Sequence, residues 1–148
     1  MKTVLTLEGY TDDITWNGFL SSFTPIEELA ATANITTKPT EGHLVVKVVN
    51  EDLTPLNGYT VTLLNKSIAA EYSKDWTIDT SADSTSLDGI AVFFNAVPDP
   101  YDLTVQRKDE TEVICSVSSG AWGTDLGYAA PVEASTVTQV TVVCVDEP

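Results

Sequence analysis

The stretch GIAVFFNAVPDPYDLTVQRKD, residues 89–109, decides the fold. Side chains of an extended strand alternate between two faces. On that period Ala91 and Phe93 fall on one side. Val97, after a turn distortion, and then Tyr101, Leu103 and Val105 can join them, while Asp102, Thr104 and Gln106 face the other way. Full burial of one large apolar side chain contributes roughly 1.5–3 kcal/mol. The inside of a sheet sandwich is therefore a sufficient role for Phe93, Tyr101 and Leu103, without a ligand pocket.

The same parity holds upstream. HLVVKVVN (43–50) places Leu44, Val46 and Val48 inward and Lys47 outward, and YTVTLLN (59–65) places Val61 and Leu63 inward between Thr60 and Thr62. The connection NEDLTPLNG (50–58) carries Pro55, Asn57 and Gly58, residues suited to restricted or left-handed backbone, and a hairpin-like return is its simplest reading. Further strands are expected at TVLTL (3–7), around Trp76 and Ile78, at TEVICSVSS (111–119) and at STVTQVTVVCV (135–145). Thr24 and Pro25, followed by Glu27 and Glu28, form a helix start, and the helix runs through Ala33 before Pro39 and Gly42. About seven strands, short turns and one brief N-terminal helix predict a mainly β protein built as an antiparallel sandwich. Two regions are expected: an N-terminal extension, 1–41, and a β-sandwich domain, 42–148.

Composition narrows the function. The chain has 148 residues, with 7 Lys plus Arg against 22 Asp plus Glu and a net charge of -15. That charge opposes attraction to nucleic acid or anionic lipid. Its 43% hydrophobic and 20% charged residues suit a folded domain. No segment approaches the roughly 20 apolar residues of a membrane helix, so no integral membrane segment is expected. MKTVLTLEGY turns polar too soon for a signal peptide; export is expected by another route, or from a chain that starts after a removed signal. Cys115 and Cys144, both in strand-like runs of a secretion-like composition, are expected to form a disulfide and to mark an extracellular or cell-surface protein.

Catalytic patterns are missing. His43 is the single histidine and has no HxH or HExxH partner, which leaves it a turn or strand-edge role. There is no G-x-S-x-G elbow, P-loop or dinucleotide fingerprint. The adjacent pairs Asp12–Asp13 and Glu27–Glu28 read as solvated charge. Asp75, Asp79, Asp83 and Asp88 offer oxygen ligands for calcium, but not at the spacing of an EF-hand loop. No other cofactor is indicated. Trp16, Trp76 and Trp122 lie in the least regular parts of the chain, where they either cap the sandwich ends or stack on sugars. Asn34-Ile35-Thr36 and Asn65-Lys66-Ser67 fit the glycosylation acceptor pattern.

Residues 42–106 resemble the prealbumin-like surface modules found in carboxypeptidase-regulatory-like and Cna B-type domains. The likeness rests on GHLVVKVVNEDLTPLNGYTVTLLN followed by DGIAVFFNAVPDPYDLTV. It implies a prealbumin-like or Greek-key sandwich, and a non-catalytic exported module serving as stalk, spacer or adhesive part. Cna B-type modules often cross-link a first-strand lysine to a last-strand asparagine with the help of an acid. Lys47 matches the lysine, but Val105 stands where the acid belongs and VTQVTVVCV has no asparagine, so no such cross-link is expected. Pro98-Asp99-Pro100 replaces the usual tight glycine. The reading is thus a structural or interaction module of a surface fibre or pilus. Its expected partners are other protein subunits, copies of itself among them, and Thr3, Val4, Leu5, Thr6 and Leu7 form the candidate assembly strand, which either completes the domain's own sheet or adds to an edge of the next subunit in a fibre. The alternative is a glycan-binding adhesin that uses the three tryptophans.

Overall fold

The computed structural model describes residues 2–5, 26–63, 67–75, 77–108, 114–117, 129–134 and 136–145. In chain order these form β1 (Lys2–Leu5), α1 (Ile26–Thr32), β2 (Gly42–Val49), β3 (Tyr59–Leu63), β4 (Glu71–Lys74), β5 (Thr77–Asp79), β6 (Ile90–Ala96), β7 (Asp99–Arg107), β8 (Ile114–Val117), β9 (Ala129–Val132) and β10 (Thr136–Val145). A seven-stranded sheet runs β1-β10-β2-β6-β4-β5, with β8 also on β10, and a three-stranded sheet runs β3-β7-β9. The protein is a mainly β, mostly antiparallel sandwich with one short helix, as the alternation predicts. Strands β4, in EYSK, and β9, in AAPV, carry too little apolar pattern to stand out in the sequence.

The core between the sheets takes the residues that alternation assigns. Leu44, Val46 and Val48 of β2 and Ala91 and Phe93 of β6 meet Val61 and Leu63 of β3 and Tyr101, Leu103 and Val105 of β7. Val97 departs from the expectation: it is 62% exposed, because it lies in the turn where the chain leaves β6 for the other sheet. The expected return between the strands at 43–50 and 59–65 is also corrected. A local return exists as an isolated bridge of Val49 to Pro55, yet β2 and β3 belong to different sheets, so the connection passes from one sheet to the other.

The large sheet is buried on its second face as well. Ile26, Leu29 and Ala30 of α1 pack on Val45, Ile78, Ile90, Val92, Phe94 and Val137. A seven-residue helix is marginal alone; this apolar contact holds it. It stops in a Schellman arrangement, with Asn34 at φ 58, the Asn34 N–H on Ala31 O at 3.0 Å and the Ile35 N–H on Ala30 O at 2.9 Å. Ile35 then turns back onto the same cluster. Thr24 and Pro25, the expected start, lie outside the described residues.

Two local features mark the start of β2 and the end of β6. Between Gly42 and Leu44 the register against β6 shifts from Ala96 to Phe93. Alternation alone sends Phe93 into one core and Phe94 into the other, and the extra residue of the bulge, next to Asn95, returns Ala96 to the core of Phe93. At Gly42 a Cβ would sit 2.2 Å from Glu133 O and 2.7 Å from Val132 Cγ1, so only glycine admits the chain that enters β10.

Candidate functional site

The terminal strands meet at β10. Its Val137–Val143 run pairs in parallel with His43–Val49 of β2. Its other edge is shared: Thr136–Gln139 pair in parallel with Lys2–Leu5 of β1, and Val142–Val145 pair antiparallel with Val117–Ile114 of β8. Cys115 and Cys144 face each other in that second pairing and are joined as a disulfide with Cα atoms 4.0 Å apart. Cys144 is buried in the core between the sheets, and Cys115 packs against that core. Of the candidate assembly strand, Thr3, Val4 and Leu5 thus pair within their own chain, while Thr6 and Leu7 lie outside the described residues. Lys47 stands opposite Thr141 of β10, not opposite an asparagine.

Other strand edges are closed by side chains. The Val61 N–H on β3 donates to Tyr72 Oη at 3.1 Å inside the core. Burial raises the Tyr72 phenol above its ordinary pKa; the Val61 N–H opposes this, and Asp83 adds to it. Next to it the Tyr59 N–H donates to Thr85 Oγ1 at 3.0 Å, while the Thr85 N–H donates to Tyr59 O at 2.8 Å. On β5 the Ile78 N–H donates to Thr32 Oγ1 of α1 at 2.9 Å. An exposed row of unpaired amides invites pairing with another chain, and such capping removes the invitation.

The acidic excursion is tied up locally. Asp79 accepts from the Ser81 hydroxyl at 2.6 Å and the Ser81 N–H at 3.0 Å, which lower its pKa. Asp83 accepts from Lys108 Nζ at 2.9 Å, and that bond lowers its pKa. Asp88 accepts from the buried Ser73 hydroxyl at 2.9 Å. Asp75 is exposed at φ 51. Among the described residues no group of three or more His, Cys, Asp or Glu is placed to hold a metal ion.

His43 is not at a strand edge. It is wholly buried within β2, with Nδ1 accepting from the Asn95 N–H at 3.1 Å and its ring edge-on to Phe94 at 5.8 Å. Its place is set by the β6 bulge and by the docking of α1 on this face of the sheet, neither of which local pattern displays. Asn95, at φ 54, also donates from Nδ2 to Thr36 O and accepts from the Lys38 N–H at Oδ1, both at 2.9 Å. The polar residue interrupting the apolar run IAVFFNAV was the one sequence sign of this hub. An open recess of about 250 Å³ lies beside it, lined in part by Ser67, Asn95, Val97, Asp99 and Tyr101.

Trp16, Trp76, Trp122 and Asn65 lie outside the described residues. Asn34 is exposed at the helix stop. Among the described residues no helix is long and apolar enough to cross a membrane.

No protein-family model matches the chain, and no curated protein matches it. Among solved structures, a pilus-presented adhesin, Cpa, is similar at 13% identity and a TM-score of 0.36, over 75% of this chain and 28% of its own. The chain spans little more than a quarter of that adhesin's length.

Proposed function

We propose that the protein is a non-catalytic extracellular module that bears load within a surface assembly of protein subunits. The observation that carries this reading is the parallel pairing of β2 with β10, reinforced by β1 on the other edge of β10. In a parallel pair of terminal strands, tension applied at the N-terminal end of one and the C-terminal end of the other acts along the ladder. Its hydrogen bonds are then loaded together instead of opening one by one. The disulfide adds a covalent path at the far end of β10 and supports an oxidising location. The engagement of the single histidine in a buried structural bond supports a role without catalysis. The slot taken by β1 can accept the same strand from a second copy, which makes copies of the chain the partner of choice.

Tandem copies stretched from their ends in a single-molecule force experiment test the load-bearing role. The expected record is a cooperative rupture, lengthened by about 10 nm when reductant opens the disulfide, because 29 residues at about 3.5 Å each leave the closed loop. Extension at near-zero force, without a rupture, overturns the reading. For the partner, removing residues 1–8 should abolish assembly as read by particle mass, and undiminished assembly rules out strand donation.

A further inference from the structure

We propose that His43 is the latch of an acid-released clasp that holds α1 and the segment following it on the outer face of the seven-stranded sheet. The clasp is a chain of contacts between parts distant in sequence. His43 Nδ1 accepts from the Asn95 N–H at 3.1 Å, and the Asn95 side chain grips Thr36 O and the Lys38 N–H at 2.9 Å each. The segment leading from α1 into β2 is thereby fastened to the bulge of β6. Because Nδ1 is an acceptor, the buried ring is the neutral tautomer with its proton on Nε2. Among the described residues Nε2 has no hydrogen-bond partner.

A second proton makes both ring nitrogens donors. Nδ1–H would then face the Asn95 N–H, the bond would be lost, and a charge would lie under the apolar cluster of Ile90, Val92, Phe94 and Val137. The charges around the ring are few. Glu27 of α1 and Glu41 of the connecting segment draw its pKa upward, but desolvation outweighs them and holds it below the ordinary value. Lys38, whose ammonium is 3.7 Å from Glu41 Oε2, partly offsets Glu41. β6 and β10 carry no acidic or basic side chain, and β5 brings only Asp79, which is engaged with Ser81. The docked state therefore binds the proton more weakly than the undocked one. Docking is fully favoured above the ordinary histidine pKa of about 6.5 and weakens as pH falls through the lower docked value. Release uncovers Val45, Ile90, Val92 and Phe94, so acid converts a covered sheet face into an apolar one.

Amide hydrogen exchange on the intact chain at about pH 7.5 and about pH 5 tests this, together with an NMR titration of the His43 ring. After correction for intrinsic exchange, protection at Ala33, Ile35 and Lys38 should fall at least about tenfold at the lower pH relative to Val61 and Val105. The ring should titrate below about 6.5. His43→Gln keeps an acceptor for Asn95 without a titrating proton and should remove the pH dependence. The proposal is overturned by unchanged relative protection, by loss of protection in both sheets together, or by a ring that titrates at or above the ordinary value. Retention of the wild-type pH dependence in H43Q overturns it too, and if H43Q does not fold, the wild-type exchange and ring titration decide alone.

Discussion

At the scale of single residues, the side chains that matter most are those closing a backbone group that the ladder leaves open. Tyr72 spans the core to accept the Val61 N–H. Tyr72→Phe keeps the ring but orphans that buried amide, and should cost about 1–3 kcal/mol in urea unfolding. A change within a few tenths would show that water or a backbone shift serves equally. The pH dependence follows from the raised phenol pKa. The folded state holds this proton more tightly, so stability present below about pH 10 is lost as pH rises through the higher folded value. Y72F should lack that component of alkaline destabilisation. Gly42→Ala acts through space: its Cβ would meet the Glu133 carbonyl at 2.2 Å, and backbone cannot rotate away as a side chain can. A loss of about 1–3 kcal/mol is expected, and a wild-type thermal midpoint would show that the approach of the β9–β10 connection is not fixed.

At the scale of elements, α1 and β10 behave differently because one is held by packing and the other also by a covalent bond. Among the described residues, the short helix is kept docked by its apolar contact, its Schellman stop, the Thr32 cap on β5 and the grip of Asn95 on the segment that follows it. β10 is paired on both edges and cross-linked to β8. Opening the Cys115–Cys144 loop should lower stability by about 3–4 kcal/mol on the chain-entropy account. Urea unfolding with and without reductant, and of the Cys115→Ala, Cys144→Ala double variant, reads this directly. Equal midpoints in all three samples would mean that the strand pairing alone sets the position of β10.

For the whole molecule, the surface charge works against the core. With a net charge of -15, the folded chain crowds like charges that the unfolded chain can spread apart. Raising the salt from about 10 mM to about 150 mM shortens the screening length from about 30 Å to about 8 Å. The thermal midpoint should therefore rise by a few degrees, and a flat or falling midpoint would show that local pairs such as Asp83–Lys108 outweigh the general repulsion. The same repulsion opposes association of copies at low salt, so assembly through the β1 slot should strengthen as salt is added.

Period-two alternation by itself determined which residues of 43–50, 59–65 and 101–107 face the core between the sheets, since that pattern is written between neighbours along one strand. A start signal, its acids and the following β-branched, proline and glycine residues likewise marked one short helix, and two cysteines in strand-like runs admit a single pairing within the chain. Sheet membership was decided only in three dimensions. The local return after β2 is real, but whether the next strand pairs beside it or crosses to the other sheet depends on partners far along the chain, such as Arg107 opposite Tyr59. The parallel seating of β2 on β10, the second burial of Val45 and Phe94 under α1, and the enclosure of His43 have the same cause. Each is a contact across tens of residues, and His43 and Asn95 meet across 52, a separation over which neither strand's own pattern carries information about the other.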